Sequence, residues 1–360
     1  MMTDKNMIAD AAEKLFKDFL TTELRNKVYA GEWPATVWDK LQETGLVEAA
    51  VSEARGGTGL DISECCAIAK ACGKYAAPVP LVEAYLAEKA LAAAGLPPAS
   101  GLTGIALPMR GSHLKLNRSG GKALLTGSLK QVPWGRNLSA VVAIADEDGH
   151  PVTVLVQGPF KEVVHSENAA GEPRDTITLS GHELPATQAG AKGIGLKPHE
   201  LRAAGALYRC AQMTGAMQTA LDMATTYVKQ REQFGRPIAK FQAVQQQIAQ
   251  MASEIVASDG VVSAAIEAAG SGLGLFQIAA AKSRLGKAAD MTVDVAHQVH
   301  GAIGTTRDYP LHLYTMRVAS WRDECGSPNE WSEWIGRLVC RTGGDALWPE
   351  LTSGFTRVSQ

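Results

Sequence analysis

What this chain lacks narrows it first. Its 360 residues contain no uninterrupted apolar run of transmembrane length. The opening MMTDKNMIAD has no apolar centre for a signal peptide. No membrane partner is therefore expected. A formal net charge of -2 supplies no basic field, which argues against a general nucleic-acid binder. The six cysteines, at 65, 66, 72, 210, 325 and 340, show neither paired metal spacing nor a disulfide framework. A reducing cytoplasm is the simplest home for them. Internal repeats and low-complexity tracts are also missing.

What is present reads as an ordinary globular protein, with 46% hydrophobic and 20% charged residues. The length allows two or three domains with a sizeable core. Residues 1–100 read as helices: Ala11, Leu15, Phe16 and Phe19 recur at helical spacing, and 63–77 and 81–95 are alanine-rich. Between 101 and 192 the texture changes. Short β-rich runs, Val141–Ile144 and Val152–Val156, alternate with turns at Asn117–Gly121 and Asp146–Pro151. That predicts a small antiparallel β domain. Beyond a linker at Gly193–Lys197, helical periods run over 199–229, 239–269, 274–299, 310–323 and 328–341, with Gly270–Gly274 as one connection. The expected class is mainly α with a small antiparallel β domain. Its organisation is an N-terminal helical domain (1–100), a middle β domain (101–192), a C-terminal helical bundle (193–343) and a tail (344–360).

The stretch richest in chemistry runs from Tyr227 to Met251, YVKQREQFGRPIAKFQAVQQQIAQM. Gly235 and Pro237 break one helix, the first through backbone entropy and the second because it lacks an N–H. Val244, Ile248 and Met251 start another. Arg231 at the break can meet a phosphate with two parallel hydrogen bonds, and Gln233 can satisfy a polar cofactor. A helix hairpin whose arginine is merely solvated fits the local sequence equally well. Further on, His297 and His300 stand three apart, so one helix face can present both, but no third ligand accompanies them and no metal site is expected.

The segment resembles the signature of the acyl-CoA dehydrogenase family, Arg-x-Gln-Phe-Gly-x-Pro-Ile-x-x-Phe-Gln-x-x-Gln. It stands here complete as Arg231, Gln233, Phe234, Gly235, Pro237, Ile238, Phe241, Gln242 and Gln245. Gln298-Val-His-Gly301-Ala-Ile-Gly304, followed by Asp308-Tyr309-Pro310-Leu311, is similar to a second family block. Trp38 to Gly45 with Gly56-Gly57-x-Gly59-Leu60 resembles the family's N-terminal entry. The resemblance implies the family's three-domain fold and an FAD cofactor. Arg231 would reach the pyrophosphate, usually of a neighbouring subunit's FAD, which implies a homo- or hetero-oligomer, a dimer or tetramer. Phe234 would pack on the cofactor, Gln298 and Gly301 would approach its adenosine end, and Gly304 would allow the following turn. Plain helix termination is the alternative for the glycines, and an exposed helix face for Gln242 and Gln245.

The implied reaction is α,β-dehydrogenation of an acyl-CoA thioester, with electrons passed to an electron-transferring flavoprotein. A carboxylate must take the α-proton. Counting from Tyr309 puts Cys325 where the family's glutamate stands, with Glu324 one residue before it. A second family location for the base falls near Gly205, which has no carboxylate. Glu324 is the candidate base, Asp323 a weaker one, and a solvated acid beside Arg322 the alternative reading of Glu324. The flavin-facing strand also departs from the pattern. Val132-Pro133 replaces the usual Ile-Thr, and proline can offer neither an N–H nor a hydroxyl. Gln131 or Trp134 compensates, or Trp134 belongs to the core or surface. Three readings follow: a self-sufficient dehydrogenase; a half-site subunit that lends FAD contacts to an unlike partner; and a relative acting on another carbon acid.

Overall fold

The computed structural model describes residues 4–119, 122–272 and 274–353. Parts of the expected Asn117–Gly121 turn, the Gly270–Gly274 connection and the 344–360 tail lie outside the described residues. Five helices come first: α1 (Asp4–Phe19), α2 (Thr22–Tyr29), α3 (Ala35–Glu43), α4 (Ile62–Lys74) and α5 (Leu81–Ala93). Seven strands follow: β1 (Thr103–Ile105), β2 (His113–Ser119), β3 (Lys122–Pro133), β4 (Ala140–Glu147), β5 (His150–Gln157), β6 (Glu162–Val164) and β7 (Arg174–Leu184). Then come α6 (Pro198–Gln230), the short strands β8 (Glu232–Gln233) and β9 (Arg236–Pro237), and α7 (Gln242–Gly270), α8 (Leu275–His300), α9 (Leu311–Asp323), α10 (Pro328–Thr342) and α11 (Gly344–Thr352). No helix among the described residues is long and apolar enough to cross a membrane. Cys65, Cys66, Cys72 and Cys210 are buried, Cys325 is half-buried and Cys340 is exposed.

Two compact units are present. One comprises Leu15–Asp61 and Pro78–Gly205 and holds the sheet. Its core is built from Leu125, Val141, Val154, Val156 and Ile177, all fully buried. Each such side chain contributes about 1.5–3 kcal/mol relative to exposure. β4 and β5 form a hairpin with Glu147 opposite His150. The connecting Asp148-Gly149 has positive φ at both residues, the geometry that matches strand twist in a two-residue turn. The sheet is mixed rather than wholly antiparallel. β1 and β2 both lie parallel to β4, while β2–β3, β3–β7, β4–β5 and β6–β7 are antiparallel. The β2–β3 hairpin intervenes between β1 and β4 and supplies the long return that a parallel pair needs.

The other unit contains the described residues up to Lys14, then Ile62–Ala77, and those from Ala206 onward. Close helix approach here depends on glycine. A Cβ on Gly73 of α4 would stand 1.8 Å from the Gln212 carbonyl oxygen of α6. α10 starts from a full capping box, Ser327 and Glu330 each bonding the other's backbone N–H, with proline at the first helical position. Its Pro328 rests against α8 at Gly286, where an added Cβ would come within 2.4 Å of the proline ring.

Candidate functional site

The Arg231 turn is a small exposed projection of the helical unit. Arg231 N–H closes α6 onto the Tyr227 carbonyl at 2.8 Å, and Ile238 N–H returns to the Arg231 carbonyl at 2.8 Å. Between them β8 and β9 form a two-residue ladder. Phe234 and Gly235 at its tip both have positive φ. Arg231 and Gln233 are exposed, and Phe234 is 91% exposed, an unusual state for a large aromatic. Arg236 lies over the Phe241 ring at 4.4 Å, which stiffens the base of the turn. Gln242 and Gln245 occupy the start of α7 on exposed positions, with Gln245 Nε2 donating to the Ala239 carbonyl at 2.8 Å.

The second motif follows α8. Gln298 and Gly301 are exposed, whereas Gly304 is buried. Gly301 adopts φ 61 and ψ -143, a region open essentially to glycine alone. An added Cβ there would meet no heavy atom within 4 Å, so the constraint is purely one of backbone conformation. Gly301→Ala is expected to cost about 1–3 kcal/mol of stability in urea unfolding, the usual cost of a disallowed backbone. At Gly304 the constraint is packing: a Cβ would stand 2.9 Å from the His300 Cβ.

The two motifs, separated in sequence by some seventy positions, are physically joined. Tyr227, one turn before Arg231, stacks on His300, one residue before Gly301, with ring centroids 4.5 Å apart. His300 is buried, and its Nδ1 lies 2.7 Å from the Ala296 carbonyl. A carbonyl only accepts, so Nδ1 carries the proton and Nε2 accepts from the Tyr309 hydroxyl at 3.1 Å. Burial pushes the His300 pKa below its ordinary value. Tyr227, His300 and Tyr309 were not singled out for this role in the sequence. The available signal was their position, each inside or one turn from a recognised motif.

Glu324, the candidate base, is not solvated beside Arg322. Its Oε2 accepts from Arg209 Nε at 2.8 Å, and Arg209 is itself buried on α6. Arg209 Nη1 also donates to Gln212 Oε1 at 2.5 Å, and its guanidinium lies 5.8 Å over the Trp321 ring. Arg322 turns instead toward Asp290 at 3.3 Å and, more distantly, Asp323. A carboxylate oxygen engaged by a buried guanidinium is a poor acceptor for a carbon-bound proton. Arg209 is one helical turn from Gly205, so the pair spans both locations at which the family resemblance would seek a base. Cys325 sits in left-handed backbone at φ 59, and its carbonyl accepts from Trp331 Nε1 at 3.2 Å. Lys282 on α8 is buried and donates to the Trp321 carbonyl at 2.6 Å, tying the end of α9. Burial lowers its pKa, and raises that of the nearby Cys210 thiol to about 12.

In the sheet unit, Trp134 belongs to the core. It is buried with left-handed backbone, and its ring meets Trp33 edge-on at 5.5 Å; Trp33 in turn lies 5.8 Å from Trp38. Its N–H is taken by the Pro173 carbonyl at 3.1 Å. Pro133 is buried opposite Arg174, and Gln131 is exposed. Next to this strand end, Asp175 is 0% exposed. Its carboxylate accepts from Arg136 N at 2.7 Å, Arg136 Nη2 at 2.8 Å, Arg136 Nε at 3.1 Å and Ser166 N at 3.1 Å. That bonding raises the Arg136 pKa further above its ordinary value.

The residues of the helical unit fit what a dinucleotide would need: an exposed guanidinium at Arg231, an exposed ring at Phe234 and an exposed glycine at 301. The Val132–Trp134 strand end does not fit the ring half of a flavin in the same way, because Pro133 offers neither a hydroxyl nor an N–H and the Trp134 backbone N–H is taken by the Pro173 carbonyl. Among the described residues no group of histidine, cysteine or acidic side chains could hold a metal ion.

Comparison with known proteins identifies the family and the fold. Residues 2–97 match the model of the acyl-CoA dehydrogenase N-terminal domain, and residues 203–324 that of the C-terminal domain. The acyl-CoA dehydrogenase FadE27 of Mycobacterium tuberculosis is 29% identical over 358 residues, covering 85% of this chain and 88% of the relative. The chain superposes on the ChsE4–ChsE5 complex from Mycobacterium tuberculosis with a TM-score of 0.84 at 22% identity, covering 96% of this chain and 99% of the other. It superposes on the glutaryl-coenzyme A dehydrogenase–glutaryl-CoA complex with a TM-score of 0.83 at 21% identity, covering 93% and 95%. With both terminal domain models matched and the bundle motifs complete, the chain belongs to the acyl-CoA dehydrogenase family, a family of oxidoreductases.

Proposed function

We propose that this chain serves FAD-dependent α,β-dehydrogenation of an acyl-CoA thioester, with the electrons passing to an electron-transferring flavoprotein. The observation that carries the reading is that Arg231, Phe234, Gln298 and Gly301 are all exposed, a ledge of two turns joined through the Tyr227–His300 stack. FAD, when bound, supplies the acceptor for the hydride that leaves the β-carbon. Arg231 offers the pyrophosphate a two-pronged cation, Gln233 a side-chain amide, and Phe234 a ring face. Gly301 lets backbone approach the adenosine end, and Gly304 lets the turn close behind it. Since these groups face outward, the dinucleotide they meet lies at a junction between chains, and the working protein is an oligomer. Six cysteines without a disulfide framework in their spacing suit a reducing cytoplasm.

One observation favours a second reading within the same reaction. Glu324 is held by Arg209, Cys325 and Gly205 carry no carboxylate, and Trp134 is committed to its own core. A chain so built is a half-site subunit: it lends the Arg231 ledge to a partner's flavin while the partner provides the base. A protein named for two different chains, the ChsE4–ChsE5 complex, shares this fold. The deciding experiment is the flavin-to-chain ratio of the purified assembly, with its subunit composition. A ratio near one with a single chain type supports self-sufficient sites. A ratio near one half with a second, base-containing chain supports the half-site. An assembly that takes up no FAD on reconstitution overturns both.

A further inference from the structure

Three hydrogen-bonding or stacking contacts converge on His300, yet nothing in the proposed reaction requires an imidazole there. The side chain is buried, so it meets no substrate. What it touches are the supports of two separate motifs. Tyr227, on its flat face, is the residue whose carbonyl receives the Arg231 N–H. Tyr309, at its Nε2, belongs to the run that follows the Gly301–Gly304 turn, and also meets Tyr227 edge-on at 6.2 Å. Gly304 packs directly against the His300 Cβ. His300 thus lies at the junction of the end of α6, the end of α8 and the approach to α9.

We propose that His300 is a positioning residue which, in its neutral form, registers the Arg231 turn against the Gly301 turn so that both meet one dinucleotide. The inference rests on the FAD reading above and deepens it. The chemistry depends on a specific tautomer. Neutral imidazole with its proton on Nδ1 donates to Ala296 and accepts from Tyr309 at once. A second proton turns Nε2 into a donor, so the Tyr309 hydroxyl can no longer donate to it, and places charge in a buried site. The titratable groups facing His300 among the described residues are Tyr227 of α6, Tyr309, and His297 of its own helix. His297 in turn bonds Thr315 of α9 at 2.9 Å and senses Asp294 and His312. His297 offers His300 no negative charge, and the hydrogen bond to the Ala296 carbonyl offsets only part of the cost of charging a buried imidazole. The sign follows. With a pKa held below the ordinary histidine value of about 6.5, the ledge is intact above that pH. It is lost as pH falls through the depressed value.

The test uses the purified assembly and FAD itself, with affinity read by flavin fluorescence between pH 5 and 8. Wild type should bind well at pH 7.5 and weaken on the acid side. Tyr309→Phe removes one neutral hydrogen bond and should weaken binding at pH 7.5 by about threefold to tenfold. Because the neutral imidazole has lost its donor, the acid limb should move to higher pH. His300→Gln places an amide oxygen where Tyr309 can still donate, so it should largely restore affinity and abolish the acid limb. His300→Leu should do neither. A second readout needs no flavin: amide hydrogen exchange at Arg231 and Ile238 should quicken in His300→Leu, while exchange in α10 stays unchanged. Unaltered FAD affinity in His300→Leu, an acid limb that does not move in Tyr309→Phe, or unchanged exchange at the turn would overturn the proposal. Wild-type assembly that binds no FAD defeats the parent reading instead, and the exchange result then decides separately whether the two turns are coupled.

Discussion

Asp175→Ala is expected to destabilise the sheet unit by about 3–5 kcal/mol, the usual consequence of removing one partner from a buried ion pair. The carboxylate is fully buried and receives every donor that the Arg136 turn aims at it. Its loss leaves a guanidinium whose side chain is only 18% exposed with just the distant Glu167 carboxylate at 3.5 Å and the Ser166 carbonyl at 3.0 Å, and strips the Arg136 and Ser166 N–H groups of their acceptor. It also frees the turn that fixes Trp134. Asp175→Asn keeps an acceptor for a backbone N–H and should fall between wild type and alanine. The double change Asp175→Ala with Arg136→Met should recover part of the loss, because no largely buried guanidinium remains with only a weak partner. Equilibrium urea unfolding followed through tryptophan fluorescence measures all three. A loss below about 1 kcal/mol for Asp175→Ala would show that water reaches the stranded arginine and that the pair contributes little.

Arg231→Met is the complementary case, with a large effect on binding and a small one on folding. The side chain is exposed, so stability should change by no more than about 0.5 kcal/mol, as for most surface positions. Hydrogen bonds to a charged group contribute about 1.5–3 kcal/mol. FAD affinity of the assembly should therefore fall by about tenfold to a hundredfold. Arg231→Lys retains the charge but not the planar fork, and should recover only part of that loss. Flavin fluorescence titration reads the affinity, and a thermal melt confirms the intact fold. Unchanged affinity would leave the turn as an ordinary helix hairpin with a solvated arginine.

Local signals carried much of the fold. The five long helical periods beyond residue 198 appear as α6 to α10, with ends set by Gly235 and Pro237, Gly274, Gly301 and Pro310, and the Ser327–Pro328 start. The β4–β5 hairpin was readable because valine-rich runs flank an Asp-Gly pair. What the sequence did not disclose is non-local. The parallel pairing of β1 and β2 with β4 depends on strands brought together by the whole sheet. Trp134 entered the core because Trp33, a hundred positions earlier, lies against it. Glu324 looked like a neighbour of Arg322, but its carboxylate reaches Arg209, 115 residues away in sequence. Charge pairs of that separation leave no periodic trace. The recognised motifs, by contrast, announced their own residues but not the aromatic stack that joins them.

Cys325 carries a practical consequence for anyone redesigning this protein. Its left-handed backbone is imposed by the surroundings: Lys282 of α8 holds the Trp321 carbonyl at the end of α9, the Cys325 carbonyl is anchored by Trp331, and the Ser327 box begins the next helix at once. The conformational cost of an L-residue there is already borne by cysteine. Glutamate, equally unbranched at Cβ, would add none at the backbone level, which makes this turn a natural graft point for an acidic group. Threonine or valine, whose Cβ branches crowd the backbone, would be the wrong choices for the same position.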